Sequence, residues 1–104
     1  MAIFLNFQSV ITKTVSTPGT AVPLASSETY AKRVVIQAGR SDDVNAGKVY
    51  LGDSSVDKDS NKCLEMSPGD VFCLPMGKDD EINLAHLYID ADNSGDGVRV
   101  LYWA

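Results

Sequence analysis

Histidine is nearly missing from this sequence, with His86 the only one in 104 residues. A metal site of the kind that draws its ligands from clustered histidines therefore cannot be built. No Gly-x-Ser-x-Gly elbow accompanies His86, and nothing around Cys63 or Cys73 matches a nucleophile signature. A lone histidine inside the apolar stretch Ile82–Ile89 reads as a packed or satisfied residue rather than a general base. A concentrated basic stripe is also missing. The 9 lysines and arginines are scattered and often sit beside acids, as in Lys58-Asp59 and Lys78-Asp79-Asp80, and the net charge is −5. Direct binding to bare nucleic acid is thereby disfavoured, as is an anionic membrane surface. No run of 18 apolar residues exists to span a bilayer. The start Met1-Ala2-Ile3-Phe4-Leu5-Asn6-Phe7 lacks the basic segment and long apolar core of a signal peptide. Folding in a cytoplasm is expected.

Cysteine is scarce, and the two present fit a reducing compartment. Cys63 and Cys73 flank Ser67-Pro68-Gly69-Asp70. A three-residue loop would set them opposite each other in a hairpin, and a two-residue loop would set Cys73 opposite Leu64. Both also read as buried strand residues, and reduced thiols are expected.

What is present is β-structure. The apolar fraction of 44% and charged fraction of 22% are globular values, and the length suits one domain with its own core. Val10–Val15 is β-branched. Thr17-Pro18-Gly19-Thr20 reads as a turn, and Pro23 places Ala21–Leu24 at a sheet edge. Lys32–Ala38 alternates, with Val34, Ile36 and Ala38 on one face and Arg33, Val35 and Gln37 on the other. Further strands are expected over Lys48–Gly52, over Cys63–Met66 and Val71–Leu74 as a hairpin, over Ile82–Ile89 as a central strand covered on both faces, and over Val98–Trp103. A helical turn competes only at Ser26–Lys32. About seven or eight short strands at this spacing predict an all-β, single-domain antiparallel β-sandwich over residues 10–104, preceded by an N-terminal arm over residues 1–9.

Few patterns could carry chemistry. Asp90-Ala91-Asp92-Asn93-Ser94-Gly95-Asp96-Gly97 begins like a calcium loop, making Asp90, Asp92 and Asp96 the candidates for a cation. Its twelfth position is Leu101 rather than Glu, and a solvated turn explains the same composition. The acids at Asp42-Asp43 and Asp79-Asp80-Glu81 read as solvated loop residues rather than a glycosidase pair. No cofactor is expected. Tyr102 and Trp103 face opposite sides of a strand, so one of them is exposed or covers a subunit contact, unless Trp103 simply closes an end of the sandwich. The arm is apolar beyond what a free tail needs, making Ile3, Phe4 and Phe7, with Trp103, the interface candidates. The loops Gly39–Gly47 and Asp53–Lys62 are long and polar enough to make contacts.

The succession Thr17–Leu24, Val34–Ala38, Asn45–Val56 and Leu64–Asp70, closing with Leu87–Ala91, a Gly/Asp loop and Val98–Trp103, resembles small virion structural proteins of tailed bacteriophages. The resemblance spans roughly residues 10–103 and rests on strand and turn motifs. It implies a jelly-roll-like head decoration or cement protein, or a related head or tail component, that carries no chemistry. It also implies self-association as a trimer or dimer, docking on the major capsid protein, and a place on the virion surface after synthesis in the host cytoplasm. A carbohydrate- or receptor-binding module of a tail or fibre is the competing expectation, with Tyr50, Tyr88 or Trp103 as its platform. A small enzyme on the same scaffold is the third.

Overall fold

A computed structural model describes residues 8–39 and 43–103. Among the described residues ten strands, all paired antiparallel, form nearly all of the regular structure: β1 (Gln8–Thr14), β2 (Val22–Pro23), β3 (Tyr30–Ala31), β4 (Arg33–Ala38), β5 (Val49–Gly52), β6 (Leu64–Met66), β7 (Val71–Cys73), β8 (Ile82–Asn83), β9 (Tyr88–Ala91) and β10 (Gly97–Trp103). The first sheet runs β1-β10-β4-β7, the second runs β2-β9-β5-β6, and β3 pairs with β8. Among the described residues no helix is long and apolar enough to cross a membrane.

The two larger sheets share one core, giving a sandwich-like all-β fold. Val34, Ile36, Ala38, Val98 and Val100 enter it from the first sheet, and Val49, Leu51, Met66, Ile89 and Ala91 from the second. The alternation in β4 is the expected one, with Val34, Ile36 and Ala38 buried. At Thr17–Thr20 the turn closes with Thr20 N–H donating to Thr17 C=O at 3.0 Å, and Gly19 takes the positive φ of 94° that favours glycine. β2, which carries Pro23, lies at an edge of the second sheet, where a missing N–H disturbs no ladder.

Five local expectations are corrected. The Ser67–Asp70 turn forms, with Asp70 N–H on Ser67 C=O at 2.9 Å, but it does not join a hairpin. β6 pairs with β5 and β7 with β4, so the chain passes from one layer to the other at this turn. The corner is tied to the end of β4, where Gly69 N–H donates to Ala38 C=O and Ala38 N–H to Asp70 C=O, each at 2.9 Å. Crossing there lets Met66 enter the shared core from the second layer and Phe72 pack on it from the first. Cys63 and Cys73 accordingly lie on different sheets' strands or their ends, and both are free and exposed rather than buried.

Ile82–Ile89 is not one continuous strand. The Asn83 side-chain oxygen accepts from Thr29 N–H (3.0 Å) and Ala85 N–H (3.1 Å), and it bends the backbone into a single 3₁₀ turn over Leu84–His86 before β9 begins. His86 is therefore exposed on a turn rather than packed in a strand. Residues Ser26–Lys32 contain no helix; Tyr30 and Ala31 pair with Asn83 and Ile82 instead.

Candidate docking site

β10 connects two chemically different regions. At its Gly97 end, polar side chains are buried and occupied. Asp90 is fully buried: one carboxylate oxygen accepts from Gly19 N–H (2.9 Å) and Ala91 N–H (2.9 Å), and the other from Lys58 N–H (2.8 Å). Asp96, equally buried, accepts from Ala46 N–H (2.9 Å) and Gly47 N–H (2.8 Å). Asn45 bonds the backbone of Gly97 in both directions, donating to its C=O at 2.9 Å and accepting from its N–H at 3.0 Å, as a strand neighbour would. A Cβ on Gly97 would overlap the carbonyl oxygen of Lys13, so only glycine lets β1 and β10 close here.

The three cation candidates are thus turned to separate partners. Asp90 holds the 17–20 turn and the loop at Lys58, Asp96 holds the 45–47 segment, and exposed Asp92 accepts from the Tyr50 hydroxyl at 3.0 Å. Among the described residues no three His, Cys, Asp or Glu side chains form a group that could hold a metal ion. Burial, reinforced by the bond to Asp92, pushes the Tyr50 hydroxyl up to about 12. Tyr50 is buried and offers no stacking platform, which removes it from the carbohydrate reading.

The loop from Asp53 to Lys62 is knitted to itself. Asp57 and Asn61 exchange backbone bonds at 2.7 and 3.2 Å, and the Asp57 carboxylate accepts from Asp59 N–H, Ser60 N–H and the Ser60 hydroxyl. These donors hold the Asp57 carboxyl below its usual range, and Ser55 does the same to Asp53. At the edge of the second sheet, Lys48 and Glu65 pair at 2.7 Å, an exposed contact of small energetic weight.

The other end of β10 is different. The outward face of an antiparallel sheet is ordinarily polar. Here the register aligns Val10, Leu101, Val35 and Cys73 in one row across all four strands of the first sheet, on the face away from the core. Val10 is 65% exposed, and Val71, also on this face, is 57% exposed. Beside this row Trp103 pairs with Arg33, whose guanidinium lies 5.9 Å from the indole centroid, within range of a cation–π contact. The Lys32 N–H donates to the Trp103 carbonyl at 2.7 Å and fixes the strand end.

A cleft of about 740 Å³ opens at this corner, lined by Val35 and Trp103 and by the segment after β7, notably Leu74 and Met76, which also pack against the core. Lys32, Arg33 and Lys78 stand around it. Among the described residues none of these three cations has an ion-pair partner, and no carboxylate lines the cleft.

Of the interface candidates, Trp103 is half-buried at this cleft, while Ile3, Phe4 and Phe7 lie outside the described residues. Asp42 also lies outside them, and Asp79, Asp80 and Glu81 are exposed. Comparison with family models, curated proteins and solved structures finds no match to this chain.

Sequence reasoning missed the apolar row and the cations around Trp103. One signal was visible: Val35 sits between Arg33 and Gln37 on the face that alternation marks as outward. Its neighbours across the sheet are Leu101 and Cys73, which only the strand register reveals.

Proposed function

We propose that the chain is a non-enzymatic structural protein of a tailed-phage virion, a capsid decoration or cement protein that self-associates and docks on the major capsid protein at the particle surface. The apolar row Val10–Leu101–Val35–Cys73, running beside the Trp103 cleft, carries the docking part of this reading. A sheet face of that composition is what burial against another protein stabilises, at roughly 25 cal/mol per Å² of apolar area removed from water. Resemblance of the strand and turn motifs supports the virion part, and a jelly-roll-like order belongs to the same reading. Weak contacts of this kind gain strength when many copies sit on a symmetric shell.

The test is sedimentation of the purified protein with heads of the phage that encodes it, alongside light scattering of the protein alone. An oligomer that pellets with the heads is expected. A monomer that stays in the supernatant defeats the proposal. A carbohydrate-binding role is the second reading, favoured by the position of Trp103 at the cleft. Glycan binding abolished by Trp103→Ala is the result that would promote it.

A further inference from the structure

The cleft also defines what would fill it. We infer that the Trp103 cleft takes a protein segment in which a carboxylate lies next to a bulky apolar side chain; this rests on the docking reading above. Charge supplies the first argument. The chain carries −5 overall, yet Lys32, Arg33 and Lys78 gather around one cleft with no lining carboxylate among the described residues. An acidic partner would complete these cations, and charge complementarity of this sort selects partners and speeds their encounter.

The apolar lining supplies the second. Val35, Leu74, Met76 and Trp103 give an apolar surface, and a methionine wall adapts to varied side chains. A carboxylate alone would leave this surface wet, and an apolar side chain alone would leave the cations without a counter-charge. At about 740 Å³ the cleft is within the range that encloses compact ligands.

The lining also discriminates between ligand classes. Sugar hydroxyls both donate and accept, and a site that holds a sugar firmly offers side-chain acceptors beside its donors. No Asp, Glu, Asn, Gln, Ser, Thr or Tyr side chain lines the cleft among the described residues. A second copy of the chain apposing the same face through a two-fold axis would bring Lys32, Arg33 and Lys78 against their own counterparts, which like-charge repulsion opposes. The apolar segment Ile3–Phe7 offers no carboxylate to them.

The two cysteines make the cleft measurable. Cys73 lines it, whereas Cys63 sits against Gly52 of β5 on the other sheet; both are exposed. A random short-peptide library is selected on the full chain, and alkylation of each thiol is then followed by peptide mass spectrometry with selected peptides present. Enriched sequences should place Asp or Glu beside Trp, Phe, Leu or Met. They should slow alkylation of Cys73 and leave Cys63 unchanged. The variant Arg33→Glu/Lys78→Glu should bind them about tenfold or more weakly, while Arg33→Lys keeps most of the affinity.

Enrichment of peptides without acids, or none that shields Cys73, overturns the inference. So does shielding by an oligogalacturonate or a single-stranded oligonucleotide where peptides fail. Shielding by the protein itself at high concentration, lost when residues 1–7 are removed, would give the cleft to another copy's arm and also overturn it. If acidic-apolar peptides shield Cys73 while the chain ignores phage heads, the inference stands and the virion reading falls. If the double variant pellets with heads as the wild type does, the virion reading stands and the cleft loses its role there.

Discussion

The two ends of β10 use charge in opposite ways. At Gly97, the buried carboxylates of Asp90 and Asp96 are met by backbone N–H groups from Gly19, Lys58, Ala46 and Gly47, and they hold separate loops against the sandwich. At Trp103, roughly 20 Å along a strand of this length, three cations stand exposed around apolar side chains without an ion-pair partner among the described residues. Buried charge that is fully hydrogen-bonded is architecture. Exposed charge collected beside an apolar row, and left without its complement, is the arrangement expected of a surface that waits for one. Substitutions at the first end should change stability, and substitutions at the second should change binding.

The largest stability loss is expected from Gly97→Ala. The added Cβ has no room beside the Lys13 carbonyl, and β1 must separate from β10. A loss of about 3 kcal/mol in urea denaturation is expected, the upper end for forced overpacking. Next comes Asp90→Asn. An amide in place of the carboxylate turns an N–H₂ group toward one of the backbone donors at Gly19, Ala91 or Lys58. A cost of about 2 kcal/mol should follow. The 17–20 turn and the loop near Lys58 should then exchange amide hydrogens faster, while the ladder between β4 and β10 stays protected.

Tyr50→Phe should be milder near neutral pH, about 1 kcal/mol for one lost hydrogen bond, and it has a pH signature. The folded-state value of Tyr50 is raised from 10.0 to about 12. Its contribution is therefore fully present below pH 10, and it is lost as pH rises through about 12, because the unfolded chain releases the proton first. The stability difference between wild type and Tyr50→Phe should shrink across that window. A difference that is flat with pH would show that the hydroxyl is not held as described. The smallest effect on stability is expected from Arg33→Glu/Lys78→Glu: within about 0.5 kcal/mol of wild type, since both side chains are exposed. A large loss of stability there would erase the contrast between the two ends.

How much of this was legible in the sequence depends on the range of the contacts involved. Local patterns were readable. The alternation of Val34, Ile36 and Ala38, the Pro-Gly turn at Thr17–Thr20 and the edge position of Pro23 each follow from one residue's geometry. The acidic segment Asp90–Gly97 has the composition of a calcium loop because buried loop anchors use the same oxygen-rich residues. What separates the two readings is where the donors come from. Gly19 is 71 residues from Asp90 and Ala46 is 50 residues from Asp96, and no local spacing reports them. The supposed hairpin around Ser67–Asp70 failed for a related reason. The turn is local and formed as read, but the layer each strand joins is decided by Ala38, Val49 and the shared core. The docking face needed the register of four strands at once, so Trp103 could be singled out while the row beside it could not.

The most direct test of the account is alkylation of Cys73 and Cys63 in the same sample, with the protein mixed with heads of the proposed source phage and pelleted, and again free in solution. Slower modification of Cys73 on the particle, with Cys63 unchanged, is the predicted result. Equal reactivity of Cys73 in the pelleted and free protein would show that the particle is held by some other surface, and it would contradict the claim that the Trp103 end of the first sheet is where this chain docks.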